Sequence, residues 1–259
     1  RREATSQRAL MVGRRGVEVG RDSALRSAEL FLCLELAAGR RGPRSEPWVR
    51  LATGVERGWL PEERLTRQET TFFDPERGGV VALRRLLWHD LAVEETEIPA
   101  DDPEAVAAAL SEAAAADLGR ALPLDEEPVA GFLARLRSLR QWRPELELPA
   151  FEEAELVELL PHLVAGRRSL DELSRAPLLD VLRGSLSWEQ REALEREAPE
   201  RIEAPAGSRV RLAYQPGEPP VLAVRIQELF GLAETPRVAG GRVPVLLHLL
   251  APNMRPQQV

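Results

Sequence analysis

Residues 64–88 read RLTRQETTFFDPERGGVVALRRLLW, two runs of alternating and apolar character, 64–73 and 79–88, on either side of DPERGG. A period of two with Thr, Phe, Val and Leu points to strands, and Asp-Pro followed by Gly-Gly supplies the turn between them. Working outward, AELFLCLEL at 28–36 and PWVRLAT at 47–53 have the same character. They are separated by turn-forming pieces, GRRGPRSE at 39–46 and GVERGWLPEE at 54–63. A weaker strand lies in GVEVG at 16–20, and LAVEETEIP follows at 91–99. About five short strands in about 90 residues suggest a small closed or half-closed barrel of the oligonucleotide-binding type, because closure removes exposed sheet edges. We place this unit at residues 10–100.

The chain then changes period. Asp102-Pro103 is an N-cap and first-turn pair, and Val106, Leu110, Ala113 and Leu118 recur at helical spacing up to Gly119. Val129, Phe132, Leu133, Leu136 and Leu139 form a second apolar stripe, with Arg135, Arg137 and Arg140 off it, mostly on the wetter side. Ser169 with Glu172, and Ser187 with Gln190, have capping-box spacing, and Pro199 closes the last helix. Beyond it, SRVRLAY, the turn QPGEPP and VLAVRI read as a hairpin over 208–226 with its arginines on one face. A short helix at QELFGL, a turn through Gly-Gly and a buried strand at VPVLLHLL follow. The fold class is α+β: an OB-like barrel, a central helical segment, and a mixed α/β segment, the last two forming one unit at 101–259.

The 259 residues are 44% hydrophobic and 30% charged, which excludes disorder, and no run is long and apolar enough to span a membrane. The basic start RREATSQR is not followed by the apolar run of a secretory signal, so the chain reads as cytoplasmic with no membrane partner. All 35 basic residues are arginine. The formal charge of −7 is uneven: residues 1–100 carry 17 Arg against 16 acids, 101–204 carry 12 against 23, and 205–259 carry 6 against 3. The acidic middle repels phosphate, so nucleic-acid contact requires local patches in the flanking segments.

Chemistry-bearing motifs narrow the reading further. Without lysine there is no Gly-Lys-Ser/Thr loop to cradle nucleotide phosphates. His89, His162 and His248 are neither paired nor at zinc-ligand spacing, Cys33 has no partner cysteine, and no nucleophile elbow surrounds Ser208. Glu152, Glu155 and Glu158 follow the spacing of a solvated helix face. No residue is assigned to catalysis or to a metal. What remains is an interleaving of cations and rings: Arg64 and Arg67 ahead of Phe72 and Phe73, and Arg84 and Arg85 ahead of Trp88. Guanidinium groups pair with phosphates while rings stack on bases, which suits a single strand. A core role for the rings, with the arginines on the solvated face, accounts for the same pattern. Arg209, Arg211 and Arg225 form a second candidate basic face, for which surface solubility is the competing account.

Two long stretches carry a family resemblance. Residues 219–259, PPVLAVRIQELFGLAETPRVAGGRVPVLLHLLAPNMRPQQV, resemble the C-terminal region of the HrpB family of bacterial ATP-dependent helicases, relatives of the DEAH-box RNA helicases. Residues 59–99, WLPEERLTRQETTFFDPERGGVVALRRLLWHDLAVEETEIP, are similar to the segment behind the helical domain that follows the motor in that family. The resemblance implies an accessory portion that lacks the two RecA-like motor domains, and with them the ATP and Mg2+ sites. It also implies that the family pattern continues beyond the position matching Val259. It favours Arg64, Arg67, Arg84 and Arg85 as single-strand contacts by their place in the barrel. The expected function is therefore a non-catalytic part of an HrpB-type helicase that guides single-stranded RNA or DNA and supports the motor. The alternative is a docking module in which the acidic helices and VLLHLL bind the motor domains or another protein without touching nucleic acid.

Overall fold

The computed structural model describes residues 7–20, 25, 28–38 and 46–250. In its first hundred residues each period-two run becomes a strand. β1 (Arg8–Met11), β2 (Arg15–Val19), β3 (Leu30–Ala37) and β4 (Trp48–Val55) form one sheet in the order β1-β2-β4-β3. β5 (Leu65–Asp74), β6 (Gly79–Trp88) and β7 (Leu91–Ile98) form a second, in sequence order. β2 pairs parallel with β4, while the β1–β2, β3–β4 and β6–β7 pairs are antiparallel. Ala9, Val17, Val19 and Val49 are buried between strands of the first sheet, with Phe31 and Cys33 packed against them. β1 escaped the sequence reading because four residues, RALM, are too few to show a period. The turn expected at 39–46 lies outside the described residues except for Glu46.

No barrel closes among the described residues: the hydrogen bonding runs within two separate sheets. β1 and β3, the outer strands of the first sheet, instead border a common apolar groove of about 350 Å³ together with Trp88, Leu91 and Val93. Leu32, Leu34, Leu36 and Leu51 are between 41% and 58% exposed.

These strands, up to Asp74 and over Val80–Asp102, make one compact unit; Pro75–Gly79 and the residues from Pro103 onward make the other. The second unit opens with α1 (Pro103–Ala116), α2 (Leu118–Ala121), α3 (Val129–Trp142) and α4 (Glu153–Val164). It continues with α5 (Leu170–Ser174), α6 (Leu178–Ser185) and α7 (Trp188–Glu197). Val106, Leu110 and Ala114, not Ala113, are the buried positions of α1, one residue off the spacing read from sequence. Ser187 and Gln190 close a reciprocal capping box, with Oγ accepting from the Gln190 N–H at 3.1 Å and Gln190 Oε1 accepting from the Ser187 N–H at 3.0 Å. Ser169 caps α5 in one direction only, because the Glu172 carboxylate takes the Arg168 N–H instead. A further box, Glu152 with Glu155, starts α4.

The apolar stripe of α3 is buried as read, but its arginines are not all on the wet side. Arg135 is 4% exposed. Its Nε donates to the Ala198 carbonyl at 2.9 Å and its Nη2 to Glu195 at 3.1 Å. Arg137 donates to the carbonyls of Ala150 and Phe151, both at 3.0 Å, and Arg140 alone stays exposed. Five donors in a planar fork allow an arginine to enter a core wherever carbonyls await it. Arg143, at the C-cap of α3, pairs with the buried carboxylate of Glu197 and with Glu145 at 2.8 Å.

The chain ends in a sheet of β8 (Arg201–Glu203), β9 (Arg209–Ala213), β10 (Val221–Arg225) and β13 (Leu246–Leu250), in the order β13-β10-β9-β8. Between β10 and β13 stand a 3-10 turn at Ile226–Leu229 and a small hairpin, β11 (Arg237–Val238) with β12 (Val243–Pro244). The strand expected to be buried at VPVLLHLL is divided: Val245 is buried, whereas Leu246 is 50% exposed and His248 is exposed. Leu212, Leu222, Val224, Val238 and Val245 form the core beneath this sheet.

Removing Leu136, which is fully buried, by Leu136→Ala is expected to cost about 3 kcal/mol. Arg135→Met, which strands the Ala198 carbonyl, is expected to cost about 1–3 kcal/mol, and Arg140→Ala at most about 0.5 kcal/mol. Urea unfolding followed by far-UV circular dichroism measures all three, because the helices belong to the second unit. A hydrogen bond from its own backbone, and then Arg143, hold the Glu145 carboxyl down at about 2 from an ordinary 4.5. A lowered carboxyl pKa stabilises the fold above the ordinary value and loses that contribution as pH falls from 4.5 towards about 2. An NMR titration of Glu145 is expected to show its midpoint rising in Arg143→Ala.

Candidate nucleic-acid interface

Strand pairing sets which charges meet. In the second sheet Arg84 stands across from Thr96, Arg85 from Glu95 and Leu86 from Glu94. A groove of about 300 Å³ is lined by Arg57, Arg67, Arg84 and Arg85 with Leu86, Glu94 and Thr96. Three of the arginines singled out by sequence therefore converge, joined by Arg57, which sequence reading missed because it sits in a turn-forming stretch. Most of this charge is already matched: Arg84 pairs with Glu69 at 2.8 Å, Arg85 with Glu95 at 2.7 Å, and Arg57 with Glu94. Arg67 has no ion pair among the described residues. Neither has Arg64, which ends the short 3-10 turn Glu62–Arg64 ahead of β5 and does not line the groove.

Neither Phe72 nor Trp88 lines this groove. Phe72 is partly buried and, five residues from Arg67 on one strand, falls on the opposite face. Trp88 lines the apolar groove with Leu91 and Val93, edge-on to His89 at 5.4 Å between ring centroids. A bulge between Leu86 and Leu87 breaks the alternation between the arginines and Trp88.

The C-terminal sheet concentrates charge differently. Because Leu212, Leu222 and Val224 face the core, the alternate residues face solvent: Arg209, Arg211 and Ala213 on β9, Ala223 and Arg225 on β10. Register adds Arg201 opposite Arg211, Glu203 opposite Arg209, and His248 opposite Ala223. Arg201, Arg209 and Arg225 have no ion pair among the described residues. Arg201 was missed in the sequence because a three-residue strand displays no period.

Arg211 turns towards acids. It pairs with Glu127 at 2.7 Å and lies 3.7 Å from Glu200, at the mouth of a cleft of about 380 Å³. Arg183, whose guanidinium stands 5.8 Å over the Phe132 ring centre, and Tyr214 are also in its walls. Burial pushes the Tyr214 hydroxyl pKa far above its ordinary value, and that hydroxyl donates to the Pro199 carbonyl at 2.7 Å. Among the described residues no three His, Cys, Asp or Glu side chains converge to hold a metal ion, and no helix is long and apolar enough to cross a membrane.

Residues 159–259 match the model of the ATP-dependent helicase C-terminal family. The chain is 29% identical to the ATP-dependent RNA helicase HrpB of Escherichia coli strain K12, over 100% of this chain and 32% of that protein. Two crystal structures, of the E. coli DExH-box NTPase HrpB and of the Escherichia coli DEAH/RHA helicase HrpB, align with TM-scores of 0.60 and 0.59 at 28% identity. Each alignment covers 97% of this chain and 32% of the other. The chain thus spans about a third of the length of the relatives it matches. The chain as a whole is thus similar in sequence and in fold to HrpB, and its residues 159–259 match the C-terminal family of ATP-dependent helicases.

Proposed function

We propose that this chain is a non-catalytic accessory portion of an HrpB-type helicase, and that it holds single-stranded RNA or DNA by its phosphates. The observation that carries this reading is the solvent face of the C-terminal sheet, where Arg201, Arg209 and Arg225 are unpaired among the described residues. A guanidinium without a carboxylate partner gives up no existing pair when it meets a phosphate, and it retains the planar fork that phosphate oxygens fit. Arg67 in the first unit offers a weaker contact of the same kind. Nucleotide hydrolysis, with its ATP and Mg2+, belongs on this reading to motor domains outside the chain, since a chain without lysine has no phosphate-cradling Gly-Lys-Ser/Thr loop.

The exposed leucines of the first sheet favour a second reading, docking onto protein. It places the apolar contact on β3 and β4 instead of on VLLHLL. The two readings separate by salt, because phosphate contacts release counterions and apolar contacts do not.

Fluorescence anisotropy with a labelled single strand across a salt series tests this. About three phosphate contacts give a slope of about −2 in log affinity against log salt for a single strand. Arg209→Ala/Arg225→Ala is expected to reduce that slope by about 1.4. Arg84→Ala/Arg85→Ala, whose charges are already matched by Glu69 and Glu95, is expected to change it far less. A folded protein that fails to bind at low salt would overturn the nucleic-acid reading and leave the docking one.

A further inference from the structure

We propose that the cleft at Arg211 receives one unstacked base of the bound strand, and guanine in preference to uracil or adenine; the proposal rests on the nucleic-acid reading above. Arg211 and Ala213 belong both to the solvent face of the C-terminal sheet and to the wall of the cleft, so a strand whose phosphates lie on that face has the cleft beside it. The volume of about 380 Å³ falls within the size range of small-molecule sites, roughly 300–1,000 Å³. Arg183 stands over the Phe132 ring and is itself exposed, so its guanidinium offers a platform on which a base plane can lie.

The polar groups select among bases. Two guanidinium groups, of Arg183 and Arg211, stand with two carboxylates, of Glu127 and Glu200. Guanine offers O6 and N7 as acceptors to a guanidinium fork and N1–H and N2–H as donors to a carboxylate, so one base satisfies both signs of charge at once. Uracil has no amino group for a carboxylate, and adenine offers no carbonyl oxygen to an arginine. Each carboxylate has about four acceptor sites and Arg211 occupies few of them, so capacity remains.

The other polar wall groups are committed to the fold. Arg135 Nε is held by the Ala198 carbonyl and the Tyr214 hydroxyl by that of Pro199. Gly131 keeps the reading pair in place: a Cβ there would come within 2.7 Å of Arg211 Nη2 and 2.8 Å of Glu127 Oε2.

The test uses the whole chain and three labelled RNAs: an oligouridylate, and the same strand with one central guanine or one central adenine. The guanine strand is expected to bind at least about 5-fold tighter than the other two, the discrimination of a single bidentate contact. Glu200→Gln, close to isosteric, is expected to abolish that preference without weakening the oligouridylate, because it removes an acid beside Arg211 and no cation. Equal binding of all three strands by the native protein, or a preference for adenine, would overturn the guanine site and leave the phosphate face standing. Loss of the oligouridylate itself in Arg209→Ala/Arg225→Ala reports on the phosphate face alone. A guanine preference that survives both Glu200→Gln and Glu127→Gln would also overturn the site.

Discussion

Two arginines eight residues apart, one within α3 and one at its C-cap, grip the C-terminal end of α7, and the second unit is organised around that grip. Arg135 reaches the Ala198 carbonyl, and Arg143 the buried carboxylate of Glu197. The last carbonyls of a helix carry its negative pole and have no partner of their own, so a cation is favoured there and a buried one can be satisfied. The same short segment has further ties: the Glu197 carbonyl accepts the Ala239 N–H at 2.7 Å, and the Pro199 carbonyl accepts the Tyr214 hydroxyl. Residues 197–199 are thus fixed to α3, to the residue after β11 and to the residue after β9 before the chain enters β8 at Arg201.

That fixation determines which side of the C-terminal sheet meets the core. With β8 set by its start, the antiparallel register with β9 brings Ile202 opposite Val210 on the inner side and Arg201 opposite Arg211 on the outer. Like charges directly across a ladder are unfavourable. Here Glu200 and Glu127 draw Arg211 aside, and Arg201 is left to solvent. The cation-rich face and the acid-lined cleft are therefore two results of one register: the arginine that the sheet crowds is the one the cleft accepts.

Much of this was legible in the sequence, for identifiable reasons. A period of two survives in single strands, so β2 to β7 could be read one by one, and the Ser187 and Gln190 spacing led to a box closed in both directions. Closure of a barrel is a property of edges, and nothing in the LFLCLEL pattern of β3 states whether its outer edge finds a partner. The interleaving of arginines with Phe72 and Trp88 failed as a spatial constellation because strand parity and a bulge, not sequence distance, decide what converges. Arg135 was misread for a related reason: the helical period locates a residue on a flank, but a carbonyl supplied from residue 198 is invisible in the neighbourhood of residue 135.

Composition is a poor guide to function in a chain whose every cation is arginine, and what separates one arginine from another is the residue across the ladder. Arg85 faces Glu95, and Arg84, paired with Glu69, is likewise matched by an acid of its own sheet. Exposed pairs of this kind contribute little to stability, typically below about 1 kcal/mol, yet they lower the attraction of a surface for phosphate. Arg225 faces Leu250 and Arg209 faces the single acid among the outward residues of β8 and β9, Glu203. A face that keeps like charges opposite each other gives up some folding energy for a local field that the net charge of −7 would not produce. Such a field persists where acids in register are few: on the C-terminal sheet only Glu203 stands across from an arginine, whereas in the groove of the first unit Arg57, Arg84 and Arg85 are each paired with a carboxylate.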